Sequence, residues 1–432
     1  DDPLRQWLSD RPGFLHELLR SEGRGEYAGE EICSRCCVSP PTHRCKDCFS
    51  SRLYCCGCMV ETHRKHPLHR MERWNGTFFE RDALKNMGLV VQLNHPPGEP
   101  CMNPKAAWKG NFTVIDVTGI HNVHVNYCQC QKRIRRFQQL LRASWYPSTT
   151  SRPKTAATFN VLEQYHLLSF ESKASAYEFY SSLVRRTNNM GVPLSKDRYD
   201  QFLRMVREWR HLKLLKRSGI GPDAPLDDLP EGSCAVTCPA CPQPGRNLPE
   251  GWEKSGKLRW LYSLFVAIDA NFRLKRKDHS KTASDPPLGS GLSYFVKDGP
   301  YQDWLTSSAQ DTQEKSSCSS HKAVNMANSK FTQGLAVTGV ATVDCARHGF
   351  KLPCGVGNLL WGERQINIDY IVFSALRFTS VKDINFSYDI ACQWSKNLWS
   401  RVARLPSYLS FNPVTKFIRF FVPKFHLPAH VA

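Results

Sequence analysis

No apolar run in this 432-residue chain approaches the ~20 residues that a membrane-spanning helix needs. No strongly basic amphipathic stretch suits a membrane surface either, so no membrane partner is expected. The chain does not open with a charged-then-apolar leader, which argues against a secreted protein. It begins at Asp1 and not at Met, as a piece of a longer protein would. Acidic residues are scarce beside basic ones, 39 Asp and Glu against 58 Lys and Arg, and the formal charge is +19. That imbalance favours a polyanionic partner, with DNA the expected one. Cysteine is plentiful, at eighteen. Many of these residues fall in C-x2-C pairs near histidines, and without a leader that pattern points to zinc in a reducing compartment, here the nucleus.

The length suggests several domains, and the pattern of the chain gives an α+β to α/β multidomain protein. Residues 1–30 read as a helical segment, with apolar residues around Phe14 to Leu19 and a stop at Gly23 and Gly25. Residues 31–131 carry a dense cysteine cluster. Residues 132–220 have helical periodicity and many arginines. Residues 221–432 form the last region, with a Ser-rich insertion over 278–330.

The cluster contains Cys33-x2-Cys36, Cys45-x2-Cys48, Cys55-x2-Cys58 and then His63, His66 and His69. Zinc takes four N or S ligands in a tetrahedron, so four successive ligand pairs imply two ions. In B-box-like cross-braced fingers the first and third pairs share one ion and the second and fourth share the other. The expected sets are Cys33, Cys36, Cys55 and Cys58, and Cys45, Cys48, His63 and His69, with His66 the alternative last ligand. Cys37 and Cys56 read as spectators. A third set, His95, Cys101, Cys128 and Cys130, is chemically sound although C-x-C is an unusual chelating spacing. A fourth pairs Cys238 and Cys241 with Cys318 and His321, and Cys345 and His348 compete for that role.

Two acids stand out in the last region. Leu264 to Ile268 is a strand-like apolar run that delivers Asp269 and a basic tail, Arg273, Lys275, Arg276 and Lys277. The run Ile384 to Tyr388 delivers Asp389 in the same way. A carboxylate at the end of a buried strand is costly unless it is paired or holds a cation, and Mg²⁺ or Mn²⁺ prefers such oxygen ligands. Two acids on two strand ends can share one or two metal ions, as in phosphoryl-transfer enzymes of the two-metal type. The bland reading is a strand followed by an acidic turn residue. The succession of strand, insertion, strand, helix and strand is comparable to an RNase H-like fold, here incomplete at its carboxyl end.

These motifs together resemble a fungal KDZ (Kyakuja-Dileera-Zisupton) transposase with an amino-terminal CxC2-like cysteine cluster. The resemblance is carried by CMVETH (Cys58 to His63), PLHRMERWNGTFF (Pro67 to Phe79), YCQC (Tyr127 to Cys130) and CPACPQPGRNLP (Cys238 to Pro249). IDANFRLKRK (Ile268 to Lys277), CARHGF (Cys345 to Phe350), YDIACQW (Tyr388 to Trp394) and KFHLPAH (Lys424 to His430) complete it. It favours His69 over His66. It implies a DDE-type transposase whose three carboxylates hold two Mg²⁺ ions for DNA strand cleavage and transfer. Asp269 and Asp389 would be the first two acids, 389 − 269 = 120 residues apart, a spacing the insertion explains. The third, a glutamate, is expected beyond the Lys424 to His430 element and so beyond Ala432, and Glu363 precedes the second acid and is not assigned. The chain is therefore expected to be a fragment or a truncated copy, without strand-transfer activity of its own. Assembly as a homo-oligomer on DNA fits the same resemblance. The competing class is a non-enzymatic, B-box-like zinc module that binds DNA or a protein partner, and a ubiquitin ligase is a weaker variant because only one cross-brace is present.

Overall fold

The computed structural model describes residues 2–130, 134–190, 196–278, 286–308, 334–360, 362–425 and 427. The chain divides into two units, Asp1–Arg210 and His211–Ala432. No helix among the described residues is long and apolar enough to cross a membrane.

The first unit opens with helix α1 (Pro3–Glu22), started by Asp2, whose carboxylate accepts the Arg5 amide, and by a proline in the first turn. Strands β1 (His43–Cys45), β2 (Met71–Trp74) and β3 (Phe79–Asp82) form an antiparallel sheet, and α2 (Cys56–Thr62) lies between the first two in sequence. A larger sheet follows, built from β4 (Val90–Gln92), β5 (Pro104–Ala106), β6 (Phe112–Asp116), β7 (Gly119–Cys128), β8 (Trp145–Pro147) and β9 (Thr155–Thr158), in the order β4-β7-β6-β9-β8 with β5 also on β7. Every residue of β6 is buried. Its alternation divides two cores: Phe112 and Val114 pack with Leu140 and Trp145, whereas Ile115 packs with Leu162, Phe179 and Phe202.

Helices α3 (Arg136–Arg142), α4 (Phe159–Glu171), α5 (Ala176–Thr187) and α6 (Tyr199–Arg217) complete the helical stretch. Residues 132–220 are thus less uniformly helical than the periodicity implies, because β8 and β9 lie among them. These strands are short, and β9 joins the sheet through β6, some 40 residues earlier in sequence, so local spacing does not announce them.

The second unit is organised around β10 (Leu264–Asn271), in which Leu264, Val266 and Ile268 are buried and alternate with more exposed residues. A two-stranded ribbon joins β11 (Arg276–Lys277) to β12 (Leu335–Val337). With β13 (Gly339–Cys345), β14 (Lys351–Leu359), β15 (Asp383–Tyr388) and β16 (Phe417–Phe421), the main sheet has the order β14-β13-β10-β15-β16. Strand β13 runs antiparallel to both β14 and β10, and β10, β15 and β16 run parallel. Helix α7 (Asp298–Ser307) falls inside the expected insertion, yet Tyr301, Trp304 and Leu305 belong to the main core. The Trp304 indole donates to the Ile366 carbonyl at 3.0 Å. Helix α8 (Gln365–Leu376) is buried along its whole length, its polar residues Gln365, Asn367, Asp369 and Ser374 included. Its one acid, Asp369, accepts hydrogen bonds from the Arg401 guanidinium (2.6 Å) and the Trp394 indole (2.7 Å). Gly357 of β14 lets α8 lie close, since a Cβ there would overlap the end of Ile371.

Candidate metal centres and a carboxylate site

Parallel pairing of β10 and β15 runs in register from Leu264 opposite Ile384 to Ile268 opposite Tyr388. Asp269 and Asp389 are the next residue on each side. The antiparallel partner of Asp269 on its other flank is Thr342. Each aspartate accepts the amide of the residue after it, Ala270 and Ile390 respectively, both at 2.8 Å. A third acid that sequence reasoning set aside lies here too. Glu363, just ahead of α8, is buried and accepts a hydrogen bond from the Tyr388 hydroxyl. Burial pushes its carboxyl up to about 7, against the Tyr388 hydrogen bond, and the charges of Asp389 and Asp269 add to the rise. The sequence signal for Glu363 is slight: an acid wedged between a buried strand and a wholly buried helix. The basic residues Arg273, Lys275, Arg276 and Lys277 that follow β10 are exposed.

The cysteines and histidines of the first unit gather into three sets, each with ligand atoms within 4.8 Å of one another. Tetrahedral zinc, with S at ~2.3 Å and N at ~2.0 Å, separates two sulfurs by about 3.7 Å and a sulfur from a nitrogen by about 3.5 Å. Cys33, Cys36, Cys55 and Cys58 form the first set, with the Cys36 and Cys55 sulfurs 3.7 Å apart. Cys55 caps α2, so the helix presents Cys58 nearly one turn later. In the second set, Cys45 lies 3.4 Å from His69 Nδ1, and Cys48 lies 3.3 Å from His63 Nε2 and 3.5 Å from His69 Nδ1. His63 turns its other nitrogen to the Met59 carbonyl at 2.9 Å, which fixes the ring toward the sulfurs. His66 stays outside the set and stacks on His69. Arg70 grips Asp47 through its side chain and its amide (2.6 Å each), tying the Cys45-to-Cys48 turn to the segment bearing His69.

His95, Cys101, Cys128 and Cys130 form the third set. The pairing of β5 with β7 explains the odd C-x-C spacing: Pro104 sits opposite Cys128, which carries Cys101 to within 3.5 Å of Cys130. Gln139 of α3 brackets Cys128, accepting its amide (2.9 Å) and donating to its carbonyl (2.8 Å). Although burial opposes it, the Cys130 amide and the His95 ring bring the Cys128 thiol down to about 6. In the second unit Cys238 and Cys241 meet Cys345 and His348, the rival pair. Cys318 and His321 lie outside the described residues. All four sets fit zinc. Among the described residues no set of three carboxylates reaches the same mutual closeness.

Residues 84–191 match the CxC2 like cysteine cluster associated with KDZ transposases, and residues 262–432 match the Kyakuja-Dileera-Zisupton transposase. The two matches support a KDZ transposase with a CxC2-like region. Neither the curated proteins nor the solved structures include a match to the chain. The KDZ match contains Asp269, Glu363 and Asp389 together with Cys345 and His348. The CxC2 match begins after the cross-braced sets and takes in the third set and the helices that follow.

Proposed function

We propose that the KDZ unit is an RNase H-like, DDE-type core for DNA strand cleavage and transfer, acting in the nucleus. The observation that carries this reading is the parallel, in-register pairing that ends on Asp269 and Asp389, within residues matching a transposase family. The strand order, three antiparallel strands followed by two parallel ones with α8 against them, supports it.

Asp269, Asp389 and Glu363 offer hard oxygen donors, two at strand ends and one buried beside them, and this donor chemistry fits Mg²⁺ or Mn²⁺. When bound, such ions lower the barrier for attack on a phosphodiester and stabilise the leaving oxygen. The chain's own residues prepare the place. Tyr388 aims the Glu363 carboxylate, and the amides of Ala270 and Ile390 orient the two aspartates. Arg273, Lys275, Arg276 and Lys277 supply cations for the phosphate backbone.

Titration of the full chain with Mn²⁺, followed by electron paramagnetic resonance, tests this. Binding that is lost in Asp269→Asn and in Asp389→Asn is expected, together with a duplex-DNA affinity that falls steeply with salt. Mn²⁺ affinity unchanged by both substitutions would sink the reading. Binding to a peptide or protein alone, with none to DNA, would favour a zinc interaction module instead.

A further inference from the structure

The KDZ unit holds a cluster that the transposase reading does not use. Cys238 and Cys241 sit upstream of the family match, in a Pro-rich stretch. Cys345 ends β13, and His348 lies in the turn that leads to β14. Cys238 and Cys345 each lie 3.4 Å from His348 Nδ1, and the Cys241 and Cys345 sulfurs are 3.0 Å apart. The two sulfur–nitrogen distances match the ~3.5 Å edge of a tetrahedral zinc site, and the sulfur pair needs to open by only about 0.7 Å to reach its own edge.

Both halves are shaped in advance. Gln243 donates to the Cys238 carbonyl at 2.8 Å, and Asn247 donates to the carbonyls of Pro239 (2.9 Å) and Cys241 (2.8 Å), which folds 238–247 into a fixed knuckle. Across from it, the Gly349 amide bonds the Cys345 carbonyl (2.9 Å), with Gly349 at φ 68, and the Cys345 amide bonds the Phe350 carbonyl (2.7 Å). That left-handed φ suits glycine, and it closes the hairpin with the imidazole beside the sulfurs. Three thiols crowded together without a disulfide, two of them buried and Cys241 half-buried, are the usual mark of a thiolate metal site.

We infer that Cys238, Cys241, Cys345 and His348 bind a structural zinc ion that staples the segment upstream of the family match to the β13–β14 turn. Three thiols each release a proton to the buffer on binding, and neutral His348 gives its Nδ1 lone pair. The staple holds Cys345 opposite Val266, three residues before Asp269 on β10. The folding unit of the transposase therefore starts upstream of residue 262. This inference does not depend on the catalytic reading.

The test is elemental zinc analysis of the full chain and its variants. Four ions per chain are expected, falling to three in Cys238→Ser and in Cys345→Ser and staying at four in Cys318→Ser. Because a serine variant could misfold, alkylation of the unmutated chain gives a second readout. Cys238, Cys241 and Cys345 should resist N-ethylmaleimide until a chelator is added. Four ions retained in Cys345→Ser with one lost in Cys318→Ser, free alkylation of the three thiols before chelation, or a Cys241–Cys345 disulfide in a non-reducing peptide map would each overturn it.

Discussion

The Tyr388 hydroxyl donates to Glu363 Oε1 at 2.5 Å, joining the last residue of β15 to the residue before α8's cap. Tyr388 is also the register partner of Ile268, so the bond ties a third carboxylate to the strand pair that ends on Asp269 and Asp389.

Glu363→Gln should weaken Mn²⁺ binding by roughly 10- to 100-fold, and Tyr388→Phe, which removes only the aiming hydroxyl, by roughly tenfold. Isothermal titration of the full chain measures both. Equal affinity in all three proteins would remove Glu363 from the cation site and leave the two aspartates to be tested separately.

Gly357→Ala should destabilise the KDZ unit by about 1–3 kcal/mol, because the new methyl overlaps Ile371 in a close-packed core. A drop in the melting temperature of that unit checks the prediction. Ile371→Val in the same background should restore part of the loss, an outcome that a purely conformational effect at residue 357 does not produce.

Gln139→Leu leaves the buried amide and carbonyl of Cys128 without partners, at a cost of about 1–3 kcal/mol for each group. The third cysteine set should then surrender its metal to a chelator faster, while the Cys33 set keeps its rate. Release kinetics that match the parent at every site would contradict the bracket.

Glu208 on α6 gives a pH signature. Burial raises its carboxyl above the ordinary value, with the Tyr146 hydroxyl, Arg204 and Arg207 opposing. A raised carboxyl holds its proton more tightly folded than unfolded. Its contribution is therefore fully present below the ordinary glutamate value and is lost as pH rises through the folded one. Glu208→Gln should melt higher than the parent at pH 8, with the gap closing as the pH falls through the raised value and closed below the ordinary glutamate value. A gap that is constant with pH would show that Glu208 does not titrate between the two states.

What the residues reveal in advance follows from how local each signal is. Cys33 to His69 can be read because C-x2-C turns and a short helix set their ligands within one stretch, and the strand of Asp269 can be read because its apolar alternation is confined to eight residues. Strand β14 escapes the sequence reading: it contains a proline, two glycines and a cysteine, and its strand character comes from pairing with β13 and from the cover of α8. Glu363 escapes it for a related reason. Nothing in the four residues Trp361 to Arg364 indicates that the chain will return a tyrosine hydroxyl to this glutamate from 25 residues downstream.

The pairing of β10 with β15 also sets an order in time. Translation delivers Asp269 well before Asp389, and closing so long a loop carries an entropic cost that short-range contacts do not. A nascent chain therefore completes its cross-braced cysteine sets early, whereas the acidic pair exists only after Tyr388 has docked. Until then the two aspartates lie on separate, unpaired segments of the emerging polypeptide.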